Sequence, residues 1–362
     1  MFIQLDPGET YRHALATLFG GFAVLLCAAA NPSAAAEDRV SFAGKTITMI
    51  VGFEAGSGPD IYGRILGQNL VRYLPGQPNL IVINQLGAGG VVALNSWANK
   101  AEANGLFIAL GTLSQTDPDA LVRTNAKYDP TTFKYIGGLA APSQGLFVNK
   151  SAVARLYDRS ASPAVMGIVG TTLRSGNYQA LWGAAFLGWN LKWVRGYTRT
   201  AELRQAMERG ELDMTSFGST PDIDFLQSAG KFSVVSQSGT VQLGKPTRRP
   251  SLGNAPMISE LVRGKIKDPL AQQSFTYGEN VSQIGMWLAL PPRTPDGTIA
   301  AYVDAFEATL KDAKYREEFA KIDPDSPVAH KDDLAKLVGA LSEVSPETLN
   351  FIQAELKRQG VD

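Results

Sequence analysis

Cysteine and histidine are almost missing from this chain. Its 362 residues hold one cysteine, Cys27, and two histidines, His13 and His330. If residues 1–36 are removed by processing, no cysteine remains, which excludes disulfides, thiol chemistry and cysteine metal sites. His330 is then the only imidazole, so histidine triads and multi-histidine metal centres are excluded unless His330 serves alone. Net charge is also lacking: 34 Lys and Arg balance 34 Asp and Glu. A basic nucleic-acid surface is therefore not indicated. Beyond residue 36 no apolar run is long enough to cross a membrane, and no short fixed-period repeat occurs.

The one long apolar run lies at the N-terminus. Arg12 and His13 precede residues 14–30, and Ala34-Ala35-Ala36 offers a small-residue cleavage site before Glu37. This reads as an export signal over residues 1–36 and implies a periplasmic location. The run is short for a membrane anchor and is broken by Gly20 and Gly21.

Glycine supplies the organising feature. Residues 46–51 read as a strand that feeds Gly52-Phe53-Glu54-Ala55-Gly56-Ser57-Gly58-Pro59-Asp60 and then a helix with Ile61, Ile65, Leu66 and Leu70 on one face. Strand, glycine loop and helix start place free N–H groups at the positive end of a helix dipole. Ser57 and Asp60 stand at capping-box spacing. Taken alone, the loop also fits a well-capped turn. A second loop of the same kind, Gln85-Leu86-Gly87-Ala88-Gly89-Gly90, follows the apolar run Leu80-Ile81-Val82-Ile83. Parallel strands with short connections end on one sheet edge, so both loops are expected to face one crevice, as a cradle for a small anion. Leu106-Phe107-Ile108-Ala109-Leu110 ends in a third loop, Gly111-Thr112-Leu113-Ser114, on the same edge.

Residues 128–142 read as a looser stretch, and Leu146-Phe147-Val148 as the strand leading out of the first unit. A second α/β unit starts at Ala164-Val165-Met166-Gly167-Ile168-Val169. Its strand ends carry Gly, Ser and Thr, and Trp182, Trp189 and Trp193 are expected in its core. Residues 240–271, rich in Pro, Gly and charge, read as surface structure. From residue 296 the chain reads as four helices that pack back on the first unit. The expected organisation is a lobe of residues 37–145 plus 276–362 and a lobe of residues 146–275, closing as a hinge over a cleft.

These residues resemble the extracytoplasmic receptors of tripartite tricarboxylate transporters, the Bug-type periplasmic binding proteins. The likeness rests on Val51-Gly52-Phe53 through Gly58 and Asp60, and on Asn84 with Gly87-Ala88-Gly89-Gly90. Further on it rests on Ala103-Asn104-Gly105, Gly210-Glu211-Leu212-Asp213-Met214, Pro256-Met257-Ile258-Ser259-Glu260-Leu261 and the segment 291–295. The resemblance implies an α/β type II periplasmic-binding-protein fold, two lobes with a ligand cleft between them. It implies a monomer that captures a small organic carboxylate, without cofactor or metal, and hands it to a membrane permease. It implies ligand contacts from Phe53, Ala55, Gly56, Ser57, Gly58, Gln85, Gly87, Ala88 and Gly89, with Asp60 holding the loop by hydrogen bonds.

The second lobe departs from the pattern. Its ligand loop is Thr171-Thr172-Leu173-Arg174-Ser175-Gly176-Asn177, in which Thr171, Arg174 and Ser175 are the candidate contacts. An Arg174 guanidinium would grip a far carboxylate bidentately. Glu54 would repel an anion unless it points to solvent. Tyr178, Tyr197 and Trp287 suit either an aromatic slot or ordinary packing. The main alternative is an enzyme of the same architecture holding a phosphate or nucleotide on the glycine loops. No Lys follows either loop as a Walker motif requires, and the spacing is not that of a dinucleotide fingerprint. A receptor that presents ligand to a signalling partner is a third reading. No nucleophile–base pair stands out, so no catalytic residue is assigned.

Overall fold

A computed structural model describes residues 40–169, 176–197, 199–242, 245–322 and 326–361. The proposed export segment and the candidates Thr171, Arg174 and Ser175 lie outside them. The chain opens with β1 (Thr46–Val51), α1 (Gly58–Leu70), β2 (Asn79–Asn84), α2 (Val91–Lys100), β3 (Phe107–Thr112), α3 (Pro118–Arg123) and β4 (Lys134–Ala140). It continues through β5 (Gly145–Asn149), α4 (Val153–Tyr157), β6 (Ala164–Val169), α5 (Asn177–Phe186), β7 (Leu191–Tyr197), α6 (Thr200–Arg209), β8 (Met214–Phe217), α7 (Thr220–Ser228) and β9 (Phe232–Gln237). A two-stranded ribbon, β10 (Thr240–Gln242) and β11 (Lys245–Thr247), leads to α8 (Ile258–Val262) and α9 (Pro269–Val281). The chain ends with β12 (Ile284–Leu290), α10 (Asp296–Lys311), α11 (Ala313–Ala320), β13 (Val328–His330), α12 (Lys331–Ser342) and α13 (Pro346–Arg358).

Two large sheets result. The first has the order β13-β4-β12-β3-β1-β2 and the second β7-β6-β8-β5-β9. In the first, β1 lies parallel to β2 and β3, and β12 runs antiparallel between β3 and β4. In the second, β6 lies parallel to β7 and β8, while β5 is antiparallel to β8 and β9. Parallel strands need crossover helices, which bury both sheet faces. Met49 on β1 accordingly has no exposure and packs beneath Gly63 and Gly67 of α1.

The looser stretch expected at 128–142 contains β4, an interior strand of the first sheet. Its sequence, Lys-Tyr-Ile-Gly-Gly-Leu-Ala, reads poorly as a strand because of Gly137 and Gly138. Tertiary packing requires both. A Cβ on Gly137 would lie 2.3 Å from the Phe306 ring, and one on Gly138 2.1 Å from the Met286 carbonyl oxygen. Segment 240–271 is likewise not all surface. Thr240, Arg249, Leu252, Ile258 and Val262 are buried.

Trp182, Trp189 and Trp193 are buried around the second sheet. Trp287 and Tyr178 are fully buried and pack as core rather than as a ligand slot. The tail divides its packing. Phe306 of α10 covers β4, whereas α13 reaches the second sheet. There Phe351 stacks on Trp182 with ring centroids 6.5 Å apart. Just beyond α13, Gln359 accepts from Trp193 Nε1 at 3.2 Å and donates to the Leu181 carbonyl at 3.0 Å.

Between the sheets the crossing segments are sewn together by buried polar groups. Ser143 Oγ donates to Gln237 Oε1 at 3.2 Å and accepts from Gly239 N–H at 2.9 Å. Ala141 N–H donates to the Gln283 carbonyl at 2.8 Å. Satisfied buried polar groups of this kind help define one geometry at the crossing, beside an apolar cluster that runs from Trp97 and Trp287 to Trp182 and Met214.

Candidate functional site

The first wall is built by the two glycine loops. They meet where β1 and β2 end together, in register through Val51 and Asn84. A Cβ on Gly52 would lie 2.4 Å from the Gly90 Cα, so the two backbones touch. In the second loop four successive residues hold positive φ: Gly87 at 132°, Ala88 at 46°, Gly89 at 62° and Gly90 at 93°. Three of these are glycine, which tolerates that region. Ala88 does not, and its strain is of the kind found at ligand-binding loops.

Ala55, Gly56, Gly58, Gly87, Ala88 and Gly89 are exposed. Among the described residues, no acceptor meets the N–H groups of Ala55, Gly58, Gly87, Ala88 and Gly89. A Cβ on Gly56 or Gly58 would meet nothing within 4 Å. Open backbone donors beside the α1 N-terminus are therefore what this wall presents, and such donors suit an anion.

Asp60 holds the wall from behind. It is buried and accepts from Gly56 N–H at 2.8 Å, from Asn84 Nδ2 at 2.8 Å and from Arg64 Nε at 3.0 Å. Burial alone would raise its pKa, but the Arg64, Gly56 and Asn84 bonds outweigh it and hold the carboxyl at about 2. Asn84 adds a bond to the Phe53 carbonyl at 2.9 Å, so one carboxylate and one amide tie both loops to α1. The expected capping box is absent. Ser57 is the N-cap of α1 but its side chain caps nothing, because Asp60 accepts from Gly56 N–H instead. Ser57 Oγ is left buried and, among the described residues, without a partner. Glu54 is exposed to solvent.

The third loop braces the second. Gln115 is 1% exposed, accepts from Thr112 N–H at 2.6 Å and donates to the Gly89 carbonyl at 2.5 Å. Sequence reasoning missed Gln115. Its signal was the Thr112-to-Gln115 spacing of a capping box, which the structure shows.

A separate hollow lies beside the second sheet, and sequence reasoning largely missed it. A cavity of about 650 Å³ is lined by Gln144 on the segment between β4 and β5, by Asn177, Ser216, Ser219 and Asp222 around the second sheet, and by Lys321 at the end of α11. The end of α11 sits beside the start of α1, where Phe319 packs on Tyr62 with ring centroids 5.7 Å apart. The glycine loops are not in this cavity's wall. Ser219 caps α7 by accepting from Asp222 N–H at 3.3 Å, and Arg204 pairs with Asp222 at 2.9 Å. Behind the same turn, the buried Arg249 donates to the Gly218 carbonyl at 2.5 Å and to Thr220 Oγ1 at 2.8 Å. That arginine thus fixes the turn that borders the cavity.

His330 lies elsewhere, with Nδ1 2.7 Å from Glu307 Oε1. Among the described residues, no group of three metal-ligating side chains forms, and no helix is long and apolar enough to cross a membrane.

No protein-family profile and no curated protein matches the sequence. Solved structures do match in shape. A TctC solute-binding protein from Polaromonas is 17% identical with a TM-score of 0.63, over 84% of this chain and 100% of that one. MatC from Rhodopseudomonas palustris, with bound malate, is 19% identical with a TM-score of 0.51, over 88% of this chain and 99% of that one. A second R. palustris protein, with adipate, is 20% identical with a TM-score of 0.54, over 87% of this chain and 97% of that one. The chain therefore has the α/β fold of these solute-binding proteins, the type II periplasmic-binding-protein fold.

Proposed function

We propose that this protein is an extracytoplasmic receptor of the tripartite tricarboxylate transporter type, capturing a small organic carboxylate and delivering it to a membrane permease. The observation that carries this reading is the open row of backbone donors on two touching loops, at Ala55 and Gly58 and at Gly87, Ala88 and Gly89. The likeness in fold to proteins holding malate and adipate supports the same ligand class. One carboxylate would settle on these N–H groups, beside the positive end of the α1 dipole. The Ser57 hydroxyl would turn to meet it. Closure of the second lobe would follow from tighter binding in the closed form, and no covalent step is required. Export to the periplasm, by the apolar segment at residues 14–30, belongs to the same proposal.

Thermal-shift titration tests it. Succinate, malate, adipate and an aromatic acid should include at least one that stabilises the protein. The gain should reach about 2.7 kcal/mol at a hundredfold excess over the dissociation constant. Stabilisation by nucleotides alone would overturn the proposal in favour of a phosphate-binding enzyme.

A further inference from the structure

Among the described residues β2 is an edge of the first sheet: it pairs with β1, and its other side meets no strand. Asn79 N–H donates to the Lys45 carbonyl at 3.0 Å and Gln85 N–H to the Val51 carbonyl at 2.9 Å. Bonds to one neighbour along a parallel ladder recur at every second residue. Ile81 and Ile83 therefore turn their N–H and C=O groups toward β1, while Leu80, Val82 and Asn84 turn theirs to the open side. No acceptor meets those three N–H groups among the described residues.

The side chains of β2 alternate in the same way. Leu80 and Val82 pack into the core beneath α1. Ile81 and Ile83 stand on the opposite face and are 49% and 47% exposed. Natural edges are guarded by charged side chains, by proline or by a bulge. Here the register with β1 runs unbroken from Asn79 to Asn84, and Pro78 lies before the strand rather than in it. No Asp, Glu, Lys or Arg occurs between Arg72 and Lys100, although charged residues make up 19% of the chain.

A second copy matches this edge through its own symmetry. An antiparallel pair centred on Val82 lets the two Val82 residues exchange both backbone bonds. Leu80 of each copy then exchanges both bonds with Asn84 of the other, so all three outward pairs are satisfied. In that register Ile81 of one copy lies directly opposite Ile83 of the other, in the closer kind of pair, with about 4.5 Å between Cα atoms. Each exposed isoleucine thus covers another. A two-fold contact sets a surface against itself, and like charges facing each other oppose it. The uncharged strand brings none. Arg64, held by Asp60 and Asn84, falls at opposite ends of the shared pair in the two copies.

We propose that β2 is a dimerisation edge, on which a second copy of this chain adds its own β2 antiparallel and makes the two first sheets continuous. The inference is independent of the ligand. It opposes the monomer that the family resemblance implies.

Sedimentation velocity and hydrogen exchange on the purified protein test it. At about 100 µM the wild-type protein should have twice the mass of one chain. Peptides covering residues 79–86 should be more protected in dimeric samples than in monomeric ones. Ile81→Lys puts a charge at the seam on an exposed side chain. It should weaken the dissociation constant at least about tenfold and unfold near the wild-type denaturant midpoint. Val82→Pro removes the central outward donor and no bond to β1, and should weaken the dimer likewise. A wild-type protein that is monomeric at that concentration overturns the inference. So does a dimer that survives Ile81→Lys unweakened, or one that leaves residues 79–86 no better protected, because another face then joins the copies. If Val82→Pro does not fold, the wild-type mass, the exchange data and Ile81→Lys still decide.

Discussion

Gly52 and Gly90 touch backbone to backbone, and neither has room for a side chain. A Cβ on Gly90 would lie 2.1 Å from Gln115 Nε2, and one on Gly52 2.4 Å from the Gly90 Cα. Gly58, six residues on from Gly52, faces open space. The glycines of the two loops thus divide into those that join the loops and those that leave the ligand side clear. Gly52→Ala should destabilise the protein by about 1–3 kcal/mol, the usual cost of overpacking. Gly58→Leu should unfold at nearly the wild-type denaturant midpoint yet lose the carboxylate-dependent thermal shift. An unchanged shift in Gly58→Leu would remove the first loop from the binding site.

Asp60 sets an acid limit. Its folded pKa of about 2 lies below the usual 3.8, so its contribution is present above pH 4 and is lost as pH falls toward 2. The difference is worth about 2 kcal/mol. Asp60→Asn should lose about that much at pH 7, with the gap to wild type closing toward pH 2. Urea midpoints across pH 2–7 read it directly. A gap that does not change with pH would mean that Asp60 stabilises by shape rather than by charge.

Glu279 acts in the opposite sense. Burial pushes its carboxyl up to about 7, and a hydrogen bond from Ser259 only partly offsets this. The folded protein then holds a proton that the unfolded chain releases near pH 4.5, so stability falls as pH rises from 4.5 through 7. The fall attributable to this group is on the order of 3 kcal/mol. Glu279→Gln should remove that slope and be the more stable form at pH 8. Parallel stability curves for the two proteins would show that Glu279 stays ionised in the fold.

Gln359, just beyond α13, fastens to β7 and α5 through Trp193 Nε1 and the Leu181 carbonyl. Gln359→Ala leaves both groups without these partners and should cost about 1–3 kcal/mol. Hydrogen exchange should show added opening at α5 and β7 while β1 and β3 stay protected. Uniform loss of protection would place the residue in the global core instead.

How much was legible follows from how local each feature is. The run from Val51 to Asp60 could be read because strand, glycine turn and helix start are adjacent in the chain, and adjacency is what sequence patterns record. The Ser57–Asp60 capping box was misread because Asp60 had better partners, Arg64 one turn on and Asn84 on the next strand. β4 was missed because Gly137 and Gly138 break the strand pattern for the sake of Phe306 and Trp287, residues far off in sequence.

By itself the sequence determined the α/β class, the paired glycine loops and the near-absence of thiol and imidazole chemistry, since composition and short-range periodicity carry these. Only the tertiary structure decided that Gln144, Asn177, Ser216 and Asp222 share one hollow. Those four stand on a crossing segment, a helix start, a strand and a second helix, and strand order alone brings them together. Sheet order depends on which faces bury best against one another across the whole chain, a non-local balance that leaves no mark on any single stretch.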